Sequence, residues 1–377
     1  MKITSIEPTP SPHSMKINVS EELPAGVSFN YTDKDSLSDA PDYVKQLFAI
    51  EGVKNIYRVV DFIALARNPK TPWESILPEV RKVLGTEENV TIPEAQLSNK
   101  EEAFGEVRVF IQMFREIPMQ VKLDDGNEEK RFGLPKMFMD AVMEASSSSP
   151  NFVMERKWVE QHPRYGTMEE IGTDVVEELN ASYDQERMNK LVEMALQNKP
   201  AGEAPSKRRN ISLETLDHPD WKVRYAALDA LNPTIEDLPL LEKALKDEKS
   251  SIRRLATAYL GMIEEPEVLP YLYIALKDKS VNVRRTAGDC ISDLGFKEAI
   301  PEMIKTLSDP SRLVRWRAAM FLYEVGDESS IPALEAAAED PEFEVRMQIN
   351  MALERIQGGE DAKGSVWHQM TKAARSD

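Results

Sequence analysis

A motif that recurs every 31 residues constrains the fold of this chain more than any other feature of its sequence. Four segments begin with Leu-Pro or Ile-Pro and end with aspartate, at residues 238–247, 269–278, 300–309 and 331–340. An arginine follows each aspartate six residues later, at Arg253, Arg284, Arg315 and Arg346. An earlier, fifth copy contains Arg224, with His218 in the position of the aspartate. So regular a spacing predicts an array of stacked structural repeats.

Each repeat has the pattern of two short helices. Proline suits the first turn of a helix, where its missing N–H costs no hydrogen bond, and the residues after the aspartate turn the chain into a second helix. In the third repeat the second helix has one apolar face, formed by Val283, Ala287, Cys290, Ile291 and Leu294. The pattern resembles the short HEAT repeats of bilin-lyase-like proteins over residues 210–357. This resemblance implies an all-α solenoid of five repeats, a fold that serves many tasks.

The repeated aspartates and arginines allow two interpretations. They could form a charged binding stripe, or each arginine could pair with a loop aspartate and bind carbonyl groups between repeats, which is the commoner use of such residues. Cys290 lies on the core face, so we expect a buried and unreactive thiol. Relatives of this repeat with iron-dependent hydroxylase activity carry His-Glu pairs. This chain contains no His-Glu dipeptide, which argues against an enzyme of the hydroxylase or lyase type.

The face of each second helix opposite the core changes character along the array. It is polar in the third repeat, with Arg285, Asp289 and Ser292. The corresponding positions of the last two repeats carry five large apolar residues: Trp316, Met320, Tyr323, Met347 and Met351. These five residues are predicted to bind a protein partner. The alternative is that they dock the N-terminal half of this chain or its own tail, in which Val366 and Trp367 are apolar.

Residues 1–88 have the pattern of a small α/β domain. Alternating apolar residues predict strands at 15–19, 27–31, 53–60 and 62–66, with helices at 42–50 and 73–84. Four motifs in order, at residues 8–16, 47–53, 61–63 and Trp73, resemble the N-terminal domain of Nfu/NifU iron–sulfur scaffold proteins. That family holds its cluster with a CxxC motif in a companion domain that is absent here. With Cys290 as its only cysteine, the chain is expected to serve iron–sulfur assembly only as an accessory or client-recognition factor.

Residues 89–200 are predicted to form a second α/β domain. Strands are expected at 105–117 and 118–123, a helix at 134–145, a further strand at 152–159, a turn at 162–166 and a helix at 168–179. Because this order and the position of Pro163 parallel the first domain, we expect a diverged copy of it. His162 and Tyr165 are expected to serve only the turn. Residues 201–209 form a linker, and a tail follows at 358–377.

Composition excludes several classes of function. The formal net charge of −18 argues against a nucleic-acid partner, and no apolar run is long enough for a membrane span. The N-terminus has no signal-peptide pattern, so we expect a cytoplasmic protein. One cysteine and four histidines, none at ligand spacing, predict no metal site and no cofactor. No catalytic motif occurs, and we expect no catalytic residues and no enzyme activity.

The whole chain, taken together, is similar in order and length to the conserved virulence factor C family. The predicted fold class is an α+β N-terminal half, with one or two small Nfu-like units, followed by an all-α HEAT-like solenoid. The leading functional hypothesis is a non-catalytic adaptor or scaffold that binds proteins, with a regulatory or virulence-related role implied by the resemblance. The alternatives are an accessory factor in iron–sulfur cluster assembly and, third, a HEAT-like lyase or hydroxylase.

Overall fold

A computed structural model describes residues 1–9, 11–24, 27–85, 106–126, 128–197 and 211–359. The chain forms two compact units. One joins Met1–Phe104 to Ser292–Asp377, and the other is Gly105–Ile291. The division falls inside a helix of the third repeat, so each unit contains one α/β domain and some of the repeats. The α+β N-terminal half and the all-helical C-terminal half predicted from the sequence are both confirmed.

The α/β domain of the first unit is a five-stranded antiparallel sheet with the order β1-β2-β5-β4-β3. Its elements in chain order are β1 (Ile3–Pro8), β2 (Ser14–Val19), β3 (Ser28–Thr32), α1 (Asp42–Phe48), β4 (Val53–Val59), β5 (Phe62–Arg67) and α2 (Trp73–Leu84). Met15 and Ile56 both pair with Leu65, so alternate residues of three strands meet on one buried face. The four predicted strands and both helices are confirmed, and β1 is an additional edge strand.

The α/β domain of the second unit is a four-stranded antiparallel sheet with the order β8-β7-β6-β9. Its elements are β6 (Glu106–Phe114), β7 (Ile117–Asp124), β8 (Glu129–Gly133), α3 (Lys136–Ser146), α4 (Phe152–Glu155), β9 (Lys157–Tyr165), α5 (Met168–Ser182) and α6 (Gln185–Leu196). Apolar residues of β6 and β7 form one core with α3, α5 and α6.

This strand order differs from that of the first domain, so the second domain does not repeat its topology. The third strand of the first domain pairs with the strand after the helix, whereas β8 extends the β6–β7 hairpin. The predicted turn at 162–166 was also wrong, since His162 and Pro163 lie inside β9. The register of β9 against β6 shifts there. A bulge on an edge strand can accommodate a proline, and the sequence alone did not distinguish it from a turn.

The repeats form nine helices among the described residues: α7 (Trp221–Asp229), α8 (Leu238–Ala244), α9 (Ser250–Gly261), α10 (Leu269–Ala275), α11 (Val281–Leu294), α12 (Ile300–Thr306), α13 (Arg312–Val325), α14 (Ile331–Ala336) and α15 (Phe343–Gln357). The prolines of α8, α10, α12 and α14 all lie in the first helical turn, as predicted. In the earliest copy a short 3-10 turn at Leu213–Asp217 stands in place of a first helix. No helix of the described residues is long and apolar enough to cross a membrane.

The repeated arginines bind between neighbouring repeats. Arg253 Nε and Nη2 donate to the two carboxylate oxygens of Asp278 in the next repeat at 2.6 and 2.9 Å. Its Nη1 donates to the carbonyl groups of Asp247 and Glu248, each at 2.9 Å. Arg224 binds Asp247, and Arg315 binds Asp340, with the same geometry. The structural interpretation of this ladder is confirmed. Cys290 is buried as expected, and its thiol donates to the carbonyl of Thr257 at 3.5 Å.

Arg253→Ala is expected to destabilise the second unit by about 3 kcal/mol, because it leaves a carboxylate that is 10% exposed without its partner. Urea denaturation followed by circular dichroism measures this change. Lys246→Ala is the matched control, since its pair with Glu242 is on the surface and its loss costs less than about 0.5 kcal/mol. Equal midpoints for the two variants would contradict a structural role for the ladder.

Candidate interaction face of the repeats

One face of the second helices carries the residues for which a binding role was predicted. The residue after each repeat arginine and the residue four positions later lie on the same side of the helix. This series, here called the docking face, consists of Tyr225 and Asp229, Arg254 and Ala258, Arg285 and Asp289, Trp316 and Met320, and Met347 and Met351. In both units this face contacts an α/β domain of the same chain.

In the first unit the docking face of the last repeat belongs to the core of the α/β domain. Met347 and Met351 are 3% and 9% exposed and share one buried cluster with Trp73 and with the apolar residues of the five-stranded sheet. Phe343 belongs to the same cluster, and Tyr323 packs against it partly buried. These long apolar side chains are therefore removed from water by the N-terminal domain, which favours docking through the hydrophobic effect.

A buried ion pair lies within the same contact. Arg67, the last residue of β5, donates from Nη2 to Glu344 Oε1 of α15 at 2.7 Å and from Nη1 to the carbonyl of Thr71 at 2.7 Å. Its guanidinium lies 5.3 Å from the centre of the Trp73 ring, and Trp73 Nε1 donates to the carbonyl of Pro12. Burial lowers the pKa of Arg67, and Glu344 opposes that effect, so the guanidinium stays charged.

His13 lies beside this ion pair and is neutral at physiological pH. The backbone N–H of Arg67 donates to the carbonyl of His13 at 2.9 Å. Burial, and secondly the positive charge of Arg67, lower the pKa of the imidazole to about 3. A second ion pair joins the domain to α15: Arg346 of α15 lies 3.6 Å from the carboxylate of Glu74 in α2. The domain is thus held by charge pairs around an apolar centre.

The five residues predicted to bind a partner do not form an exposed surface in this structure. Trp316 and Met320 are 2% and 1% exposed, and Tyr323, Met347 and Met351 pack with the N-terminal domain. The structure corresponds to the alternative in which the patch docks the N-terminal half of the same chain. Val366 and Trp367, the tail residues considered for this role, lie outside the described residues.

The docking face of the second unit is polar and contacts the second α/β domain. Glu178 of α5 accepts from Arg164 of β9 at 2.6 Å and lies 3.4 Å from Nη2 of Arg254 in the repeats. Burial alone would raise the pKa of Glu178, but the charges of Arg164 and Arg254 and hydrogen bonds from Arg164 and Tyr225 lower it to about 2. One carboxylate thus compensates two guanidinium groups that are only 15% and 13% exposed, one from the domain and one from the repeats.

Tyr165 provides the second polar contact of this unit. Its backbone N–H donates to Asn282 Oδ1 at 3.0 Å, and its hydroxyl donates to Asp289 at 3.2 Å. The guanidinium of Arg285 lies 4.9 Å from the centre of the Tyr165 ring. Tyr165 was expected to be a turn residue without a site. It is instead 4% exposed and fixes the end of β9 to α11.

Other large apolar side chains remain exposed, and most of the more exposed ones lie on the second α/β domain. Met139 and Met143 on α3 are 56% and 69% exposed, and Val153 and Met154 on α4 are 62% and 76% exposed. The sequence analysis did not single out these residues. The sequence pattern that could have indicated them is a pair of methionines four residues apart, on the side of α3 away from its buried residues. Among the described residues, no group of histidine, cysteine, aspartate and glutamate could hold a metal ion.

Comparison with known proteins matches each part of the chain. Three family models match: Scaffold protein Nfu/NifU N terminal at residues 3–89, Virulence factor at 112–192, and HEAT repeats at 212–287 and 272–354. The chain is 57% identical to protein YpgR of Bacillus subtilis (strain 168) over 377 residues, covering 100% of this chain and 99% of the relative. It is 47% identical to Conserved virulence factor C of Staphylococcus aureus (strain bovine RF122 / ET3-1) over 382 residues, covering 98% of this chain and 99% of the relative.

Solved structures of staphylococcal proteins match 22–24% of the chain. The crystal structure of protein SAV1430 from Staphylococcus aureus is 38% identical in the matched region. The match covers 22% of this chain and 98% of that protein, with a TM-score of 0.21.

Met347→Ala is expected to loosen the N-terminal domain from the last repeat, since truncating a buried methionine costs about 2–5 kcal/mol. Hydrogen exchange of full-length protein should speed up at the backbone amides of α2, while those of α9 in the other unit keep the wild-type rate. Met262→Ala is the control, because Met262 is 61% exposed. Unchanged exchange in α2 would show that Met347 does not hold the domain.

Glu178→Gln is expected to change how stability depends on pH. The folded pKa of Glu178, about 2, lies below its ordinary value of 4.5. The carboxylate therefore stabilises the fold at pH above 4.5, by roughly 3 kcal/mol, and this contribution disappears as the pH falls towards 2. Urea midpoints of wild type and variant should differ most at pH 7 and converge towards pH 2. Glu186→Gln, at a surface pair, should follow wild type, and a pH-independent gap for Glu178→Gln would contradict the assignment.

Proposed function

Because the chain belongs to the conserved virulence factor C family, we propose that it is a non-catalytic adaptor protein of the cytoplasm with a regulatory role. In this proposal the repeats position the two α/β domains, and the second α/β domain binds a protein partner. The role of the repeats differs from the initial hypothesis, in which their apolar patch bound the partner directly, because Tyr323, Met347 and Met351 pack with the first domain and Trp316 and Met320 are buried.

The observation that carries the proposal is the exposure of apolar side chains on α3 and α4. Met139 and Met143 lie on one side of α3, and Met154 is the most exposed of all the large apolar residues described, at 76%. Large apolar side chains that remain exposed to solvent are typical of protein-binding surfaces. Methionine is especially suited to such surfaces, because its flexible, polarisable side chain adapts to the shape of a partner. These residues also lie within the segment that the Virulence factor family model matches.

The repeats support this role by fixing the domain behind its exposed helices. Arg164 and Tyr165 at the end of β9, and Glu178 on α5, all contact the repeats. Among the described residues, helices α3 and α4 form no ion pair or hydrogen bond with the repeats. The domain is thus attached on one side and leaves α3 and α4 to contact other molecules.

The test is affinity capture from a lysate of the parent organism with full-length protein and two variants. Met143→Lys combined with Met154→Lys places two charges on the proposed surface, and the expected result is a loss of at least tenfold in captured partner. Met262→Lys is the matched control, because Met262 is 61% exposed but lies at the end of α9 in the repeats. Circular dichroism verifies that all three proteins are folded.

Two results would contradict the proposal. One is that the double variant retains every partner at the wild-type level. The other is that Met262→Lys loses the same partners to the same extent, which would place the binding surface on the repeats.

A second candidate function is an accessory role in iron–sulfur cluster assembly, favoured by the Nfu/NifU match over residues 3–89. Its surface would be the face of the first sheet away from α1 and α2, where Tyr57 is 38% exposed and Lys16 lies over the ring of Phe62. This candidate predicts iron–sulfur proteins in the capture that are retained by the α3/α4 double variant, since that variant leaves the first domain unchanged.

A further inference from the structure

The edge strand β9 leaves most of its length open to solvent. All six residues from Lys157 to His162 are exposed, and β6 is the only strand that pairs with β9 in the part of the chain that the structure describes. Trp158 pairs with Gln112, and Val159 pairs with Ile111, so the two side chains point to opposite faces of the sheet. They are 36% and 43% exposed. An added strand beside β9 would cover both of them.

The open stretch has defined ends. At its C-terminal end the bulge containing Pro163 interrupts the register, and beyond it Asn282 accepts from the backbone N–H of Tyr165. Between Lys157 and His162, the only additional hydrogen bond to the backbone among the described residues runs from Gln161 Nε2 to the carbonyl of Glu160 at 3.3 Å. An edge strand has outward-pointing N–H and C=O groups that can pair with another strand. Here this edge is limited to about six residues by the bulge.

Charged groups beside Trp158 indicate what a neighbouring strand should carry. Lys122 Nζ lies 5.2 Å from the centre of the Trp158 ring, and the guanidinium of Arg131 lies 5.8 Å from it. Glu160 is on the same face of the sheet, two residues along the strand, and is exposed. Among the described residues Glu160 forms no ion pair, whereas Lys122 pairs with Glu129. An added strand that places a carboxylate beside Trp158 would have complementary charge.

We propose that β9 pairs with β9 of a second copy of this chain, antiparallel and centred on Val159. In this register Val159 faces Val159 of the second copy, and Trp158 faces Glu160. The carboxylate of each Glu160 then lies beside the cations around the other copy's Trp158, twice by symmetry. Such a self-complementary contact is the interface of a two-fold symmetric dimer. It joins the two four-stranded sheets into one sheet of eight strands by strand addition.

Two neighbouring antiparallel registers, centred on Glu160 and on Gln161, fit less well. A pair centred on Glu160 would place two carboxylates directly opposite each other, which is destabilising. A pair centred on Gln161 would place Val159 opposite Pro163, which has no N–H to donate. These comparisons favour Val159 over Glu160 and Gln161 as the centre.

The test is disulfide cross-linking of full-length protein with one new cysteine. Opposed residues of an antiparallel pair have Cα atoms about 4.5–5.5 Å apart, a distance that a disulfide can bridge. Val159→Cys should therefore form a covalent dimer under mild oxidation. Gln161→Cys is the matched control, because in this register it faces Lys157 and not itself. The native Cys290 is buried and contributes little background.

The expected result is a dimer in light scattering of the wild-type protein between about 1 and 100 μM, and cross-linking of Val159→Cys at least tenfold faster than that of Gln161→Cys. As a second measure, Glu160→Lys should weaken dimerisation at least tenfold, and adding Lys122→Glu should restore it by exchanging the charges. A monomer at the highest concentration overturns the proposal. So does equal cross-linking of the two cysteine variants, since that places the contact elsewhere.

Discussion

Largely buried guanidinium groups paired with carboxylates attach both α/β domains to the repeats, and the remainder of the structure depends on these contacts. A charge removed from water is costly unless an opposite charge and further hydrogen bonds compensate it. Arg67 meets this requirement with Glu344 and the carbonyl of Thr71. In the other unit Glu178 compensates Arg164 and Arg254 together. A domain that shifted by a few ångströms would leave one of these charges unpaired. The ion pairs therefore fix the position and orientation of each domain on the repeats that it contacts.

The docking-face positions of the repeats make two kinds of contact with the α/β domains. In the second unit they carry Tyr225, Arg254 and Arg285, which meet the polar residues of β9 and α5. In the last repeat they carry Met347 and Met351, which enter an apolar core. The arginine ladder lies one residue earlier in each second helix and is engaged by the loop aspartates. Stacking of the repeats and attachment of the domains therefore use mostly separate residues; Arg346 serves both, since it donates to the carbonyl of Asp340 and pairs with Glu74 of the first domain.

Features that depend on local periodicity could be predicted from the sequence. The 31-residue spacing predicted the helix pairs and the role of Arg253, and alternation of apolar residues predicted β2, β4 and β5. Contacts between residues that are far apart in the sequence could not be predicted. Glu178 and Arg254 are 76 residues apart, and nothing near either of them indicates the other. The change from polar to apolar residues along the array was visible, but which part of the chain covers Met347 was decided only by the fold. In β9, Pro163 suggested a turn because a bulge and a turn have the same local signature.

The first unit is assembled from the beginning and the end of the chain, and this has a consequence for biosynthesis. Residues 1–85 leave the ribosome well before the helix that carries Glu344 and Met347, which begins at Phe343. At typical translation speeds the interval is on the order of tens of seconds. During it Arg67 has no carboxylate from α15, and the apolar surface around Trp73 has no cover from Met347. The second unit is continuous in sequence and can fold while synthesis proceeds. Nascent chains that stop before the last repeat therefore expose the surface of the first domain around Trp73 that Met347 would cover. This exposed apolar surface makes them substrates for chaperones and proteases.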